Sequence, residues 1–389
     1  MIQKLITICF LFLYSLTVQS QNKVPVFISG QEGYASFRIP AMIQLPSKKI
    51  IAFAEGRVNG AADFGHVNIV MKSSIDGGAH WSKLTKLVGF GNLQAGNAAP
   101  VVDLMDVQYP QGKIFLFYNT GNVNERQLRE GKGIREVWYI SSVDEGESWS
   151  APVNITSQVH FPNGEIDGRV YRNKEDWRTY ANTPGHATQS LEGKYKGRIF
   201  IAANHSLGAP KNNFKDYFTH GFYTDDHGKS FHVSNSLDLE GSNEATASFI
   251  SNDRLIINAR NQQGNTKTRI TAYSNDGGAN FEKAFYEDQL LDPICQGVIL
   301  NIGYKQGKAI LALVNASDTI YRNNLSLHIS YDEGMHWKKK VVIDGTKDLQ
   351  KMKNDFTAYA DIIKMSKRKI GVLYERDNYQ EIVFSIIKW

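Results

Sequence analysis

Guanidinium, carboxyl and phenol side chains must carry whatever chemistry this sequence can do. Its ten histidines and two cysteines show no metal-ligand spacing, His186 and Cys295 included. No phosphate loop or dinucleotide fingerprint occurs. Arg, Asp, Glu and Tyr side chains remain in far greater number than one site needs, and residue type alone does not choose among them; eight stand in short segments of distinctive sequence. They are Arg38 in Phe37-Arg38-Ile39-Pro40, Arg57 in Phe53-Ala54-Glu55-Gly56-Arg57, and Asp63 in Ala61-Ala62-Asp63-Phe64-Gly65. Further on come Glu244 in Ser242-Asn243-Glu244-Ala245, Arg260 before Asn261, and Arg322 after Tyr321. Tyr359 in Ala358-Tyr359-Ala360-Asp361 and Glu375 after Tyr374 complete the set. A guanidinium is always charged and presents a planar fork to a carboxylate. One carboxyl can protonate a leaving oxygen and later deprotonate water. A phenol ionises near pH ~10, so it attacks only beside a base. Taken singly, each has a plainer use: a surface ion pair, a loop cap, a strand tyrosine, an edge charge.

The elements that must position these groups are repeated. The pattern Ser/Thr-x-Asp-x-Gly-x-x-Trp/Phe begins at Ser74, Ser142, Thr224, Ser274 and Ser330. Asp can bond its own backbone two residues on and fix a turn. Gly accepts the positive φ of a tight hairpin. The aromatic residue then packs beneath. Strand-like runs such as Val67–Met71 and Val137–Ile140 precede the copies. Each copy therefore marks one hairpin of a repeating unit, spaced like a four-stranded propeller blade.

Composition agrees with an all-β chain. Of 389 residues, 33 are Gly and 10 are Pro, 42% are hydrophobic and 21% charged. The net charge of +5 is mild and includes no basic block dense enough for a nucleic-acid tail. The lysine run at Lys338–Lys340 reads as a solvated strand or turn. A basic balance suits an anionic glycan. Residues 1–20 read as a signal peptide, with Lys4, an apolar run from Leu5 to Leu13, and a cleavage site after Ser20. That run is shorter than the ~20 residues of a membrane span, so a periplasmic or secreted location is expected. Cys9 lies in the leader, which leaves Cys295 with no intramolecular partner. Residues 21–389 read as one domain, and Phe161–Tyr180, with Asp167, Arg169, Arg172 and Trp177, reads as a long polar loop.

The repeats resemble the Asp boxes of sialidase-like propellers. Phe37-Arg38-Ile39-Pro40 resembles the Phe-Arg-Ile-Pro signature of bacterial-type exo-α-sialidases. Gly96–Pro100, Thr183–His186 and Leu291–Gln296 also look family-like, so the resemblance covers nearly the whole mature chain. It implies a six-bladed β-propeller with Asp-box hairpins. Runs at Tyr359–Met365 and Lys369–Glu375, closed by an N-terminal strand, would supply the blade that has no box. It implies that Arg38, Arg260 and Arg322 hold the substrate carboxylate and that Arg57 contacts a sugar hydroxyl. Asp63 would be the acid/base, Glu244 and Tyr359 the base–nucleophile pair, and Glu375 the group orienting Arg38. His66 and Ala360 depart from the family pattern, which often has an acidic residue and Ser there. The implied reaction is hydrolysis of terminal sialic acid from glycans with retention, needing no metal or other cofactor. A hydrolase for Kdn or Kdo, or a non-catalytic glycan-binding propeller, are the rival readings.

Overall fold

The computed structural model describes residues 23–389 except residue 180, and the side chains of residues 339 and 340 are left aside. The expected leader and Cys9 lie outside the described residues. All five repeats fold into one turn. In each, the Ser or Thr hydroxyl donates to the Asp carboxylate two residues on, at 2.8 Å. The same hydroxyl accepts the amide of the Gly four residues on, at 2.8–2.9 Å. That Gly has φ between 84° and 92° throughout, where a side chain would be strained. The aromatic residue tucks beneath. Trp81 meets Phe384 edge-on at 5.6 Å and Trp149 meets Phe53 edge-on at 6.2 Å. One turn thus links local backbone geometry to packing between sheets. Asp226→Ala removes acceptors for Lys229 N and Ser230 N and should lower stability by about 1–2 kcal/mol, measured by urea unfolding.

The chain forms antiparallel meanders around an axis. Four sheets of four or five strands stand apart. They comprise strands between Ala181 and Val233, between Ser242 and Leu291, between Gly297 and Asp344, and between Thr357 and Lys388. The N-terminal strand Val24–Ile28 completes the last of these by pairing with Glu381–Lys388, the closure expected from sequence. The strands from Ser36 to Asn154 form one eight-stranded sheet. Six separate blades are therefore not seen: there are four, plus this sheet. Its two halves join because Val67 pairs in parallel with Gln94. The apolar clusters lie between sheets. One joins Ala312, Leu327 and Ile329 to Ile362, Val372 and Val383. Another joins Phe115 and Phe117 to Ile201 and Phe222. Strands such as Ile50–Arg57 and Leu255–Asn261 are consequently buried at every position, because both of their faces are covered. Among the described residues, no helix is long and apolar enough to cross a membrane.

The segment from Phe161 to Thr179 is more ordered than expected. It contains a hairpin pairing Asn163–Ile166 with Arg169–Arg172. Asp167 and Gly168 form its turn, with φ of 47° and 74°, as an Asp-Gly hairpin turn requires. That dipeptide was readable in the sequence. Arg169 and Tyr171 then bond Glu136 at 2.7 and 2.6 Å.

Trp177 caps three buried imidazoles beside this hairpin. It stacks on His205 at 3.8 Å and contacts His220 at 4.6 Å and His160 at 6.0 Å. Burial pushes His160 and His220 down to about 3 and lowers His205 too. Folded imidazoles stay neutral while unfolded ones take protons below pH 6.5. Stability is therefore complete above that value and falls as pH drops toward the folded values. Each imidazole costs about 1.4 kcal/mol per pH unit in that window. His160→Leu should flatten the slope by one proton in melts run between pH 7 and 5. An unchanged slope in that variant would mean that the His160 ring already carries its proton inside the fold.

Candidate active site

Four first strands of the meanders carry a register shift at one common end. The shifts fall between Arg38 and Ala41, Gly96 and Ala99, Ser242 and Ala245, and Thr357 and Ala360. A bulge re-aims the side chain it carries. Here Arg38, Asn97, Glu244 and Tyr359 are turned toward one cavity of about 560 Å³. Ile39 sits in the first bulge with φ 57°, an unusual conformation for a β-branched residue. Its amide is held by Glu375 Oε1 at 2.8 Å. Backbone irregularity in the strands thus creates the convergence of side chains.

The cavity is lined by Arg38, Arg57, Asp63, Glu244, Arg260, Arg322 and Tyr359. The structure therefore brings together seven of the eight residues singled out from sequence. The eighth, Glu375, lies behind them, fully buried. It accepts Arg38 Nε at 3.0 Å and Arg38 Nη2 at 3.4 Å. It also accepts the Tyr359 amide at 3.1 Å. One carboxylate thus fixes the first guanidinium and the Tyr359 backbone together, which exceeds the orienting role expected from sequence.

Tyr359 Oη lies 2.8 and 2.7 Å from the two Glu244 oxygens. Arg260 Nη1 donates to Tyr359 Oη at 3.0 Å and to Glu244 at 2.8 Å. The Arg38 and Arg322 guanidiniums sit 5.5 and 5.7 Å from the Tyr359 ring centre. Burial, reinforced by the Glu244 carboxylate, raises the phenol well above its ordinary pKa, against the pull of Arg260 and Arg322. The resting phenol is therefore neutral and already hydrogen-bonded to a base. Three cations surround it, each paired with a carboxylate of its own: Arg38 with Glu375, Arg260 with Glu244 and Arg322 with Asp355.

Asp63 projects into the cavity from the other side, with its side chain 82% exposed. Arg57 Nη1 and Arg38 Nη1 donate to its Oδ1 at 2.8 and 3.2 Å. Enclosure in the pocket opposes its charge, but Arg57 and Arg38 outweigh that and hold its pKa below normal. Asp63 is thus an ionised partner of Arg57 and Arg38.

Three contributors were missed from sequence. Glu55 receives Arg57 Nη2 at 2.7 Å and the Asn97 amide at 2.9 Å. Its signal was its spacing, since residues two apart on a strand share a face, and Arg57 follows it by two. Asn97 lies at the second bulge with φ 54°. Tyr379 left no signal. It lies in a turn where Asp377, Asn378 and Tyr379 all have positive φ. Its ring lies 3.9 Å beneath the Arg38 guanidinium. Its hydroxyl donates to Asp355 and accepts Arg322 Nη1. It therefore couples Arg38 and Arg322.

The other family-like stretches support the floor. His186 Nδ1 pairs with Asp361 at 2.6 Å, and Asp361 also accepts the Met42 amide at 2.8 Å. Gln296 exchanges two 3.1 Å bonds with the Ala360 backbone. Buried Arg269 holds Asp292 and the Cys295 carbonyl at 3.0 and 2.9 Å. That loop presents the Ile294 carbonyl to Arg322 at 3.3 Å. Cys295 is a free thiol whose burial pushes it up to about 12. It packs under Tyr359 as an apolar group.

Comparison with known proteins agrees with this arrangement. Residues 50–372 match the model of the BNR repeat-like domain. Sialidase-2 of Cricetulus griseus is 24% identical over 379 residues, covering 91% of this chain and 92% of that one. The exo-alpha-sialidase of Arthroderma benhamiae is 26% identical over 397 residues, covering 95% and 85%. Among solved structures, the Hadza microbial sialidase Hz136 superposes with a TM-score of 0.76 at 20% identity, covering 95% of this chain and 68% of that one. At that identity the superposition speaks for the propeller fold. The family model spans most of the chain, and with it the chain belongs to the BNR repeat-like domain family, among the bacterial-type sialidases and thus the glycoside hydrolases.

Proposed function

We propose that this chain is an exo-α-sialidase that hydrolyses terminal sialic acid with retention of configuration, using Tyr359 as nucleophile. The observation that carries the proposal is the Tyr359 hydroxyl within 2.8 Å of both Glu244 oxygens, ringed by Arg38, Arg260 and Arg322. The anomeric carbon of a 2-keto acid sugar bears a carboxylate. That anion suits three guanidiniums. It would also repel a carboxylate nucleophile, whereas a neutral phenol approaches without penalty.

The steps balance. The substrate carboxylate engages the clamp and competes with Asp63 for Arg38. Loss of that cation raises the Asp63 pKa toward protonation. Tyr359 Oη bonds to the anomeric carbon as its proton passes to Glu244. The glycosidic bond breaks and Asp63 protonates the departing oxygen. Water then attacks the same carbon, giving a proton to Asp63. The Tyr359 bond breaks and the phenol recovers its proton from Glu244. Two inversions amount to retention.

The supporting architecture is read in the same way. Each half of the eight-stranded sheet is an antiparallel meander of four strands, and we count these as two of six blades, five of which carry an Asp-box turn. Residues 21–389 act as one domain, exported by the leader at 1–20.

Purified protein assayed on aryl α-glycosides of several 2-keto acids tests the activity. Sialic acid should be released, first as the α-anomer by NMR. Release from none of the glycosides would leave a glycan-binding propeller, and release of Kdn or Kdo alone would reassign the substrate. Asp63→Asn tests the acid. It should slow cleavage of sialyl-lactose about 100-fold or more but spare an aryl glycoside whose leaving group needs no proton. Equal slowing of both would remove Asp63 from that role.

A further inference from the structure

A second cavity, of about 920 Å³, opens at the opposite ends of the strands that carry the site. Lys364 lies five residues beyond Tyr359 on strand Thr357–Ser366, about 17 Å at strand rise. Lys305 ends strand Gly297–Lys305, and Lys48 lies in the turn after strand Ser36–Gln44. Lys367 and Arg368 form the turn after Ser366. All five of these cations line the cavity, and no Asp or Glu does. All five are exposed. Among the described residues none of them belongs to an ion pair, while most buried cations of this fold do. Much of the mild excess charge of the chain is thus gathered at one concavity.

The wall between these cations is aromatic. Tyr304 is 50% exposed. Tyr331 packs under Lys305, whose ammonium lies 5.6 Å from the ring centre. Trp389 lines the same cavity. Two bulges shape the lip. One lies between Asn301 and Gly303, the other between Lys364 and Ser366. The Lys364 ammonium reaches within 3.8 Å of the place a Gly303 side chain would occupy. Bulges of this kind re-aim side chains at binding sites. The volume falls in the range of ligand-binding clefts.

From this juxtaposition we infer a second binding site, for an acidic polysaccharide bearing sulfate or carboxylate groups. The cations pair with its anionic groups. The flat rings receive sugar faces. Neutral glycans would leave the charges unmatched. Nucleic acid would match the charges but needs several open rings for its bases to stack on, whereas of these three rings only Tyr304 is exposed. The site faces away from the cavity that holds Tyr359, so it would tether the protein to a matrix while the other face remains free.

Titration of the full chain with a heparin-derived hexasaccharide, read by tryptophan fluorescence, tests this. Maltohexaose, inorganic sulfate and single-stranded oligothymidylate of equal charge serve as comparators. Saturable binding of the hexasaccharide alone, weakened about 10-fold or more by Lys364→Glu with Lys367→Glu, is the expected result. Tyr304→Ala should weaken the hexasaccharide as well. Cleavage of a small aryl substrate should be unchanged in these variants, so failure here is separable from failure of the sialidase reading. Equal capture of oligothymidylate or sulfate, or binding that survives both charge reversals, would overturn the proposal.

Discussion

On the proposed mechanism, Tyr359→Phe should lower kcat by at least about a thousand-fold, because it removes the proposed attacking atom and nothing else of comparable reactivity replaces it. The fold survives. The ring is buried among Ile39, Cys295, Ala316 and Ala358, and those contacts do not involve the hydroxyl. Glu244 remains paired to Arg260 at 2.8 Å, so no carboxylate is left buried and alone. The cost to stability should stay within about 1–2 kcal/mol. Single-turnover kinetics and a thermal melt on the same preparation check both halves. Turnover within tenfold of the native protein would take the nucleophile role away from Tyr359. A collapse of the melt would show a structural role instead.

Arg322→Gln is the second large effect, and it falls on binding. Arg322 is the cleanest of the three arginines to remove. Arg38 leaves fully buried Glu375 without its cation, and Arg260 leaves Glu244 in the same position. Stranding a buried charge costs about 3–5 kcal/mol, which would blur the result. Arg322 instead bonds the Tyr379 hydroxyl and the Ile294 carbonyl, and its nearest carboxylate, Asp355, lies at 3.6 Å. Loss of this guanidinium should weaken a 2-carboxylate inhibitor about 100-fold. The corresponding carboxamide should bind native and variant proteins within a few-fold of each other. Equal weakening of both ligands would mean that Arg322 shapes the pocket and does not read charge.

The repeats show how far local chemistry reaches. Ser74, Asp76 and Gly78 make their turn from atoms within four residues of one another. Nothing distant is needed, so the turn and the hairpin it implies were legible. The Asp167-Gly168 hairpin obeys the same logic, and reading the polar segment around it as loop overlooked a local signal. Sheet continuity is different. Val67 meets Gln94 only once both meanders are built, and no residue pattern announces that single bridge.

For the site, the resemblance of short segments to a known family named the eight side chains, and guanidinium, carboxyl and phenol are each suited to the task that resemblance implies. What sequence could not state is their mutual distance. Glu244 and Tyr359 lie 115 residues apart and meet at 2.7 Å. That meeting depends on bulges in several strands, each too small to leave a mark in composition. Tyr379 was invisible for the same reason: only the closed ring brings its turn beneath Arg38. Sequence by itself determined the turns, the strand character and the chemical repertoire, since these follow from neighbours along the chain. Tertiary structure alone decided which charges pair, which phenol finds a base and where unpaired cations gather, since electrostatic energy depends on separation in space and on burial.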